Sequence, residues 1–134
     1  MSLLGTFDIG TTGLVAQSLR LNLIASNVAN AETAVGPDGQ AYRSRHVVFQ
    51  VDPSKGRAGH GVAVSRIVES DAPLRMEYRP GHPLADERGY VAMPNVNPAE
   101  QMVDMISASR AYQMNIEMMN VTRQLLLKTL DLGK

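Results

Sequence analysis

The chain contains no cysteine and no tryptophan, and only 4% of its residues are aromatic. Without cysteine there can be no disulfides and no thiolate metal sites. A charge surplus is missing too. Its 13 Lys and Arg balance 13 Asp and Glu, whereas a nucleic-acid binder usually carries a basic excess to neutralise phosphates. No apolar run is long enough to span a bilayer. The opening residues, MSLLGTFDIG, have neither a basic start nor a long apolar core, so a cleavable secretory signal of the usual kind is not expected. A length of 134 residues suits one modest domain or two small parts.

Composition divides the chain into three zones, read as 1–34, 35–97 and 98–134. The first carries only Asp8, Arg20 and Glu32 as charges. The second holds most of the Arg and Gly and all but one of the Pro, and the third is rich in Met, Leu and Gln. In the first zone Phe7, Leu14, Leu21 and Val28 recur every seven residues, with Ile24 and Ala25 between. This stripe of coiled-coil-like period predicts a helix over about 6–30. Its front is weakened by Gly5, Gly10 and Gly13, each by roughly 1 kcal/mol relative to Ala. A second apolar set, Val15, Leu19 and Leu23, faces elsewhere. Between the two lies the slanted row Asn22, Ser26, Asn30, inside the nearly uncharged stretch LIASNVANAET (23–33). Asn30 could end the helix in a left-handed conformation. That explains one asparagine but not the row.

The middle reads as a small antiparallel β unit of four short strands. GPDGQAY (36–42) is a tight turn, RHVVFQV (45–51) a strand, and DPSKGRAGHG (52–61) a flexible loop. VAVSRIVES (62–70) alternates as a strand should, with Val62, Val64, Arg66 and Val68 on one face. PLRMEY (73–78) and YVAMP (90–94) are short strands around the turn-rich RPGHPLADERG (79–89). With few aromatics, the core of this unit is thin and needs support from elsewhere. From Asn97 the pattern turns helical. Asn97 caps, Pro98 suits the first turn, and Glu100 suits the positive helix start. No Gly or Pro recurs before Gly133, so the helix should run over about 98–131, roughly 50 Å.

That last helix has one narrow polar stripe: Gln113, Glu117, Asn120, Gln124, Lys128 and Asp131. Much of the remaining circumference is apolar, with Met114, Ile116, Met118, Met119, Val121, Leu125, Leu126, Leu127 and Leu130. A helix apolar on most sides must be buried on most sides, and the first helix alone cannot cover it. Each large side chain left in water forgoes about 1.5–3 kcal/mol. The expected fold class is therefore α+β. Long N- and C-terminal helices pair as an antiparallel coiled-coil-like core, a small antiparallel β domain is inserted between them, and helix pairs pack against pairs of other subunits.

Catalytic signals are weak. His46, His60 and His82 lack ligand spacing and read as loop or strand-edge residues. No nucleophile elbow occurs. GRAGHG has neither the spacing nor the Lys-Ser/Thr of a phosphate loop. Asp86-Glu87 reads as a solvated acidic pair. No catalytic, cofactor or metal residue is assigned, and neither nucleic acid nor a small-molecule substrate is expected.

Two segments, LRLNLIASNVANAETAVGPDGQAYR near the start and MVDMISASRAYQMNIEMMNVTRQLLLKTLDLGK at the end, closely resemble bacterial flagellar axial proteins. The ASNxANAxT element is common to rod and hook proteins. GPDGxxYR, the short middle and the SASRAYxxN to LLLKTL ending resemble subunits of the proximal rod. Ala41 stands where many such proteins have Pro, which loosens the turn slightly. The resemblance implies a non-enzymatic structural subunit of the basal-body rod. Its terminal helices would form a coiled coil in the inner core of a helical tube, with the β domain outside. It also implies uncleaved passage through the flagellar type III export machinery and, in Gram-negative cells, a place in the periplasm. The implied partners are other rod proteins, copies of itself and the adaptor between rod and export gate.

On this reading the subunit interface comprises Leu14, Leu21, Asn22, Ser26, Asn27, Val28, Asn30, Tyr112, Met114, Ile116, Met118, Met119, Leu125, Leu126 and Leu130. Gln113, Glu117, Asn120, Gln124, Lys128 and Asp131 face the lumen. Competing readings are another axial rod subunit or a soluble helical chaperone with a Met-rich client groove. Filament formation discriminates, since a chaperone makes a defined small complex.

Overall fold

The computed structural model describes residues 3–52 and 60–133. The loop read as flexible over 52–61 therefore falls largely outside the described residues. Two long helices, α1 (Leu3–Ala29) and α2 (Pro98–Leu132), enclose four strands in the chain: β1 (Arg45–Asp52), β2 (Gly61–Glu69), β3 (Arg75–Tyr78) and β4 (Tyr90–Met93). The fold is α+β, with the helices packed on each other and the strands between them in sequence.

The four strands do not form one sheet. β1 pairs with β2 and β3 with β4, as two separate antiparallel two-stranded sheets. In the first, Val48 lies opposite Arg66 and Phe49 opposite Val64, so Ser65 is an extra residue in a bulge. The bulge shifts side-chain parity along β2. Val62, Val64 and Ile67 share a face, whereas the alternation had placed Arg66 and Val68 with the first two. α1 supports this sheet: Thr12 Oγ1 accepts from the Val62 N–H at 3.0 Å. In the second sheet the buried residues are Val91 and Met93, and Tyr78 meets Tyr90 edge to face. Asn95 joins the two hairpins. Its Oδ1 accepts from the Ser44 N–H, and its Nδ2 donates to the Ser70 and Ala72 carbonyls.

The helices run antiparallel. Gly10 lies against Met118 and Met119, Gly13 against Asn115, Arg20 against Asp104, and Asn27 against Gln101. In α1 the seam is Gly10, Gly13, Gln17, Arg20, Ile24 and Asn27; in α2 it is Gln101, Ala108, Asn115 and Thr122, at seven-residue spacing. This is not the apolar stripe. Leu14 and Leu21 flank the seam half-buried, and Phe7 and Val28 are exposed. Small residues win the seam because close backbone approach needs them: a Cβ on Gly10 would sit 2.7 Å from Met118 Cε and 2.9 Å from Met119 Cγ. Two of the glycines that weaken α1 locally, Gly10 and Gly13, thus make room for α2 side chains, and α1 begins earlier than their low helix propensity suggests.

α1 does not end on a left-handed Asn30. Among the described residues no non-glycine has positive φ. Asn30 Nδ2 instead donates back to the Ser26 carbonyl, and its Oδ1 accepts from Thr33 Oγ1. The 36–42 turn closes through Gly36 N–H to the Gln40 carbonyl at 2.6 Å, with Gly39 at φ 78°. At α2 the Asn97 side chain accepts from the Ala99 N–H, with Pro98 in the first turn and Glu100 behind it.

Candidate functional site

Side chains left exposed after α1 and α2 have paired define the candidate site. Along α1 they are Leu4, Phe7, Asp8, Thr11, Val15, Ser18, Asn22, Ala25, Val28 and Ala29. Steps of three and four place them on one outward face, and Asp8 is the single charge among them. On the flank, Leu14, Val15, Ser18, Leu19 and Asn22 line a shallow groove with Tyr112 of α2.

α2 is more unbalanced. Met102, Val103, Ile106, Met114, Val121, Leu127 and Leu130 are each at least half exposed, Met114 at 70%. Ile116 and Leu125 are exposed and Leu126 is half-buried. Gln113, Glu117, Asn120, Gln124, Lys128 and Asp131 are all exposed. Gln113, Glu117, Asn120 and Gln124 each sit two residues, or roughly 200°, from Asn115 or Thr122, which turns this part of the stripe away from α1, and Lys128 and Asp131 lie beyond the last seam residue. Met118 and Met119 are different: they pack on Gly10 within the chain. The antiparallel register sets Leu3 opposite the Leu125 turn, so the last two turns of α2 continue roughly 10 Å past the described start of α1.

The asparagine row also divides. Asn22 points outward. Ser26 Oγ approaches the Tyr42 hydroxyl at 3.4 Å, and Asn30 binds its own turn. Asn27 is 0% exposed. Its Nδ2 donates to the Arg45 carbonyl and to Gln101 Oε1, each at 2.9 Å. Its Oδ1 accepts from the Tyr42 hydroxyl at 2.8 Å and from the Arg45 N–H at 2.9 Å. Every hydrogen-bonding position of this amide is used inside the chain, so the expectation of Asn27 as a subunit contact gives way to an internal junction. The reason is tertiary: β1 presents the outward N–H and C=O of Arg45 just where α1 passes, and the amide bonds both as a neighbouring strand would.

The histidines do not converge. His46 Nε2 lies 3.3 Å from Ser44 Oγ, and His82 Nδ1 accepts from the Leu84 N–H. Asp86 Oδ1 accepts from the Arg88 and Tyr90 N–H groups, a local turn rather than a paired carboxylate. Among the described residues no cluster of His, Asp and Glu has metal-site geometry.

Comparison with known proteins fits this geometry. Residues 7–36 match the family described as Flagella basal body rod protein, and residues 87–132 match the Flagellar basal body rod FlgEFG protein C-terminal family. The two segments hold every residue of the helix seam named above. Over all 134 residues, and over the full length of both chains, the protein is 54% identical to the flagellar basal-body rod protein FlgC of Salmonella typhimurium and 53% identical to that of Escherichia coli O157:H7. Identity to the Borreliella burgdorferi FlgC is 38% over 93% of each chain. The chain belongs to the FlgC family of flagellar basal-body rod proteins. It is accordingly a structural subunit of the flagellar basal body, and the chaperone alternative is not favoured.

The seam residues Gly10, Gly13, Gln17, Ala108, Asn115 and Thr122 lie outside the apolar stripes of the sequence. A signal for them exists in the sequence. Gln101, Ala108, Asn115 and Thr122 form a strict heptad of small and polar residues, the mate of the glycine-rich front of α1.

Proposed function

We propose that this rod subunit assembles by helix packing into a tube that transmits torque and surrounds an export conduit. The two terminal segments, 1–34 and 98–134, form the inner part, and 35–97 lies outside. Neighbours are other rod proteins, further copies of the chain, and the adaptor to the export gate. The chain passes uncleaved through the flagellar type III export machinery, and the assembled rod lies in the periplasm.

One observation carries this reading. Leu4, Val15, Met102, Val103, Met114 and Leu130 remain more than 60% exposed in the single chain. Leaving each in water forgoes about 1.5–3 kcal/mol. These residues point in several directions, so no single two-fold contact covers them; neighbours on several sides do, through non-closing contacts of the kind that build tubes. Leu14, Leu21, Asn22, Val28, Met114, Ile116, Leu125, Leu126 and Leu130 form the packing faces. Tyr112 edges the groove on α1, while Met118 and Met119 contribute through the seam. The stripe from Gln113 to Asp131 faces the water-filled lumen. An electron-microscopy map of the assembled basal body tests this: Gln113, Glu117 and Gln124 should border solvent in the channel, and finding them in a dry interface overturns the lumen assignment.

A further inference from the structure

We propose that the Asn27–Gln101 amide pair locks the axial register of α2 against α1, and so decides which α2 faces the subunit presents to its neighbours. The inference deepens the rod reading and rests on it for that consequence alone. Much of the seam's middle and far end specifies a register only weakly. Gly10, Gly13 and Ala108 present almost no side chain, and Met118 and Met119 adapt to whatever faces them. Small, smooth contacts of this kind tolerate sliding.

Polar contacts do not tolerate it. A slip of α2 by one heptad toward its C-terminal part would bring Ala108 opposite Asn27, which offers no side-chain acceptor for Nδ2, and a slip the other way would leave Asn27 facing the segment before Pro98, where α2 has not begun. The first of these slips would also put Ala111 where Asp104 meets Arg20 at 3.4 Å. Asn27 is wholly buried, so water cannot replace the lost partner cheaply. A single buried amide of this type is known to select register in helix pairs at some cost in stability. Here its remaining bonds tie the chosen register to β1 and the Tyr42 turn, so the sheet keeps the same angle to the helix pair.

The absence of cysteine makes the test direct. Spin labels on Ala25→Cys and Gln113→Cys, both exposed in the structure, report the α1–α2 distance in the full chain. With Gln101 intact one narrow distance population is expected. Gln101→Leu leaves Asn27 bonded to Arg45 and Tyr42 but removes its partner on α2. A second population is then expected, with α2 displaced by one heptad, roughly 10 Å. Gln101→Glu keeps an acceptor at the same reach and should restore the single population. A purely structural role would lower stability in both variants without displacing α2. If Gln101→Leu fails to fold, the smaller Gln101→Ala serves in its place. A single native distance in a folded Gln101→Leu or Gln101→Ala chain overturns the proposal. Because the measurement needs no assembly, that result leaves the rod reading intact; failure of the unaltered chain to enter basal bodies would count against the rod reading alone.

Discussion

Gln17 sits in the α1 seam between the Gly13–Asn115 and Arg20–Asp104 contacts, and its Oε1 is buried without a hydrogen-bond partner. An unmet buried acceptor costs about 1–3 kcal/mol. Gln17→Met keeps the length and removes the polar atom. It should stabilise the free chain by about 1 kcal/mol, seen as a higher urea midpoint at unchanged slope; an unchanged or lower midpoint would mean the oxygen finds a partner in solution. The contrast with Asn27 is instructive. Both are amides on the same seam, but Asn27 meets a strand edge, a tyrosine and Gln101, while no partner meets Gln17 Oε1. A buried polar side chain is favourable only where partners converge on it.

At the scale of elements, what holds α1 to α2 is closeness rather than apolar bulk. At Gly10 a side chain has no room. Gly10→Val drives a branched side chain into Met118 and Met119, and Met119 Cγ is not a free end that can swing away. The expected cost is about 1–3 kcal/mol of overpacking, read by denaturant unfolding, with the loss of helicity concentrated in the first turns of α1. A neutral or stabilising result would show the two methionines yielding fully. The second hairpin is attached differently. Glu32, just past α1, pairs with Arg75 at 3.0 Å and Arg79 at 3.7 Å, and Glu77 pairs with the same two arginines. These groups are largely exposed and salt-screened. The hairpin's position therefore owes more to Asn95 and to the buried Val91, Met93 and Val96 than to this ring of charges.

For the whole molecule, order should be graded along the helix pair. The end held by Asn27 and Gln101 is buried, with every polar position of the Asn27 side chain hydrogen-bonded, and Ala108 is buried too. Toward the other end α2 outruns α1, and Leu125, Leu127, Leu130 and Leu132 are exposed. In the free chain, amide exchange should be slowest around 101–111 and fastest over 125–132, and it should slow in the latter on assembly. Strong protection of the last two turns in the free chain would contradict this view, because the contacts proposed to order them lie on other subunits. Local stability follows burial and contact density, and this subunit leaves its far end to its neighbours.

Both helices, all four strand positions, the Asn97 cap and the 36–42 turn were legible in the sequence, because periodicity, β-branching and Pro/Gly punctuation are local properties. So was the need for partners, since apolar residues on every side of the 98–131 stretch outnumber what one helix can cover. Tertiary structure alone decided three things. It chose the Gly10–Asn27 face as the seam over the Leu14–Leu21 stripe, because helix approach rewards small residues as much as large ones. It split the strands into two hairpins and put a bulge at Ser65, because strand pairing depends on long-range geometry. And it drew Asn27 inside while leaving Asn22 out: the two belong to one asparagine-rich segment, but only Asn27 lies where β1 and α2 both offer hydrogen-bonding groups.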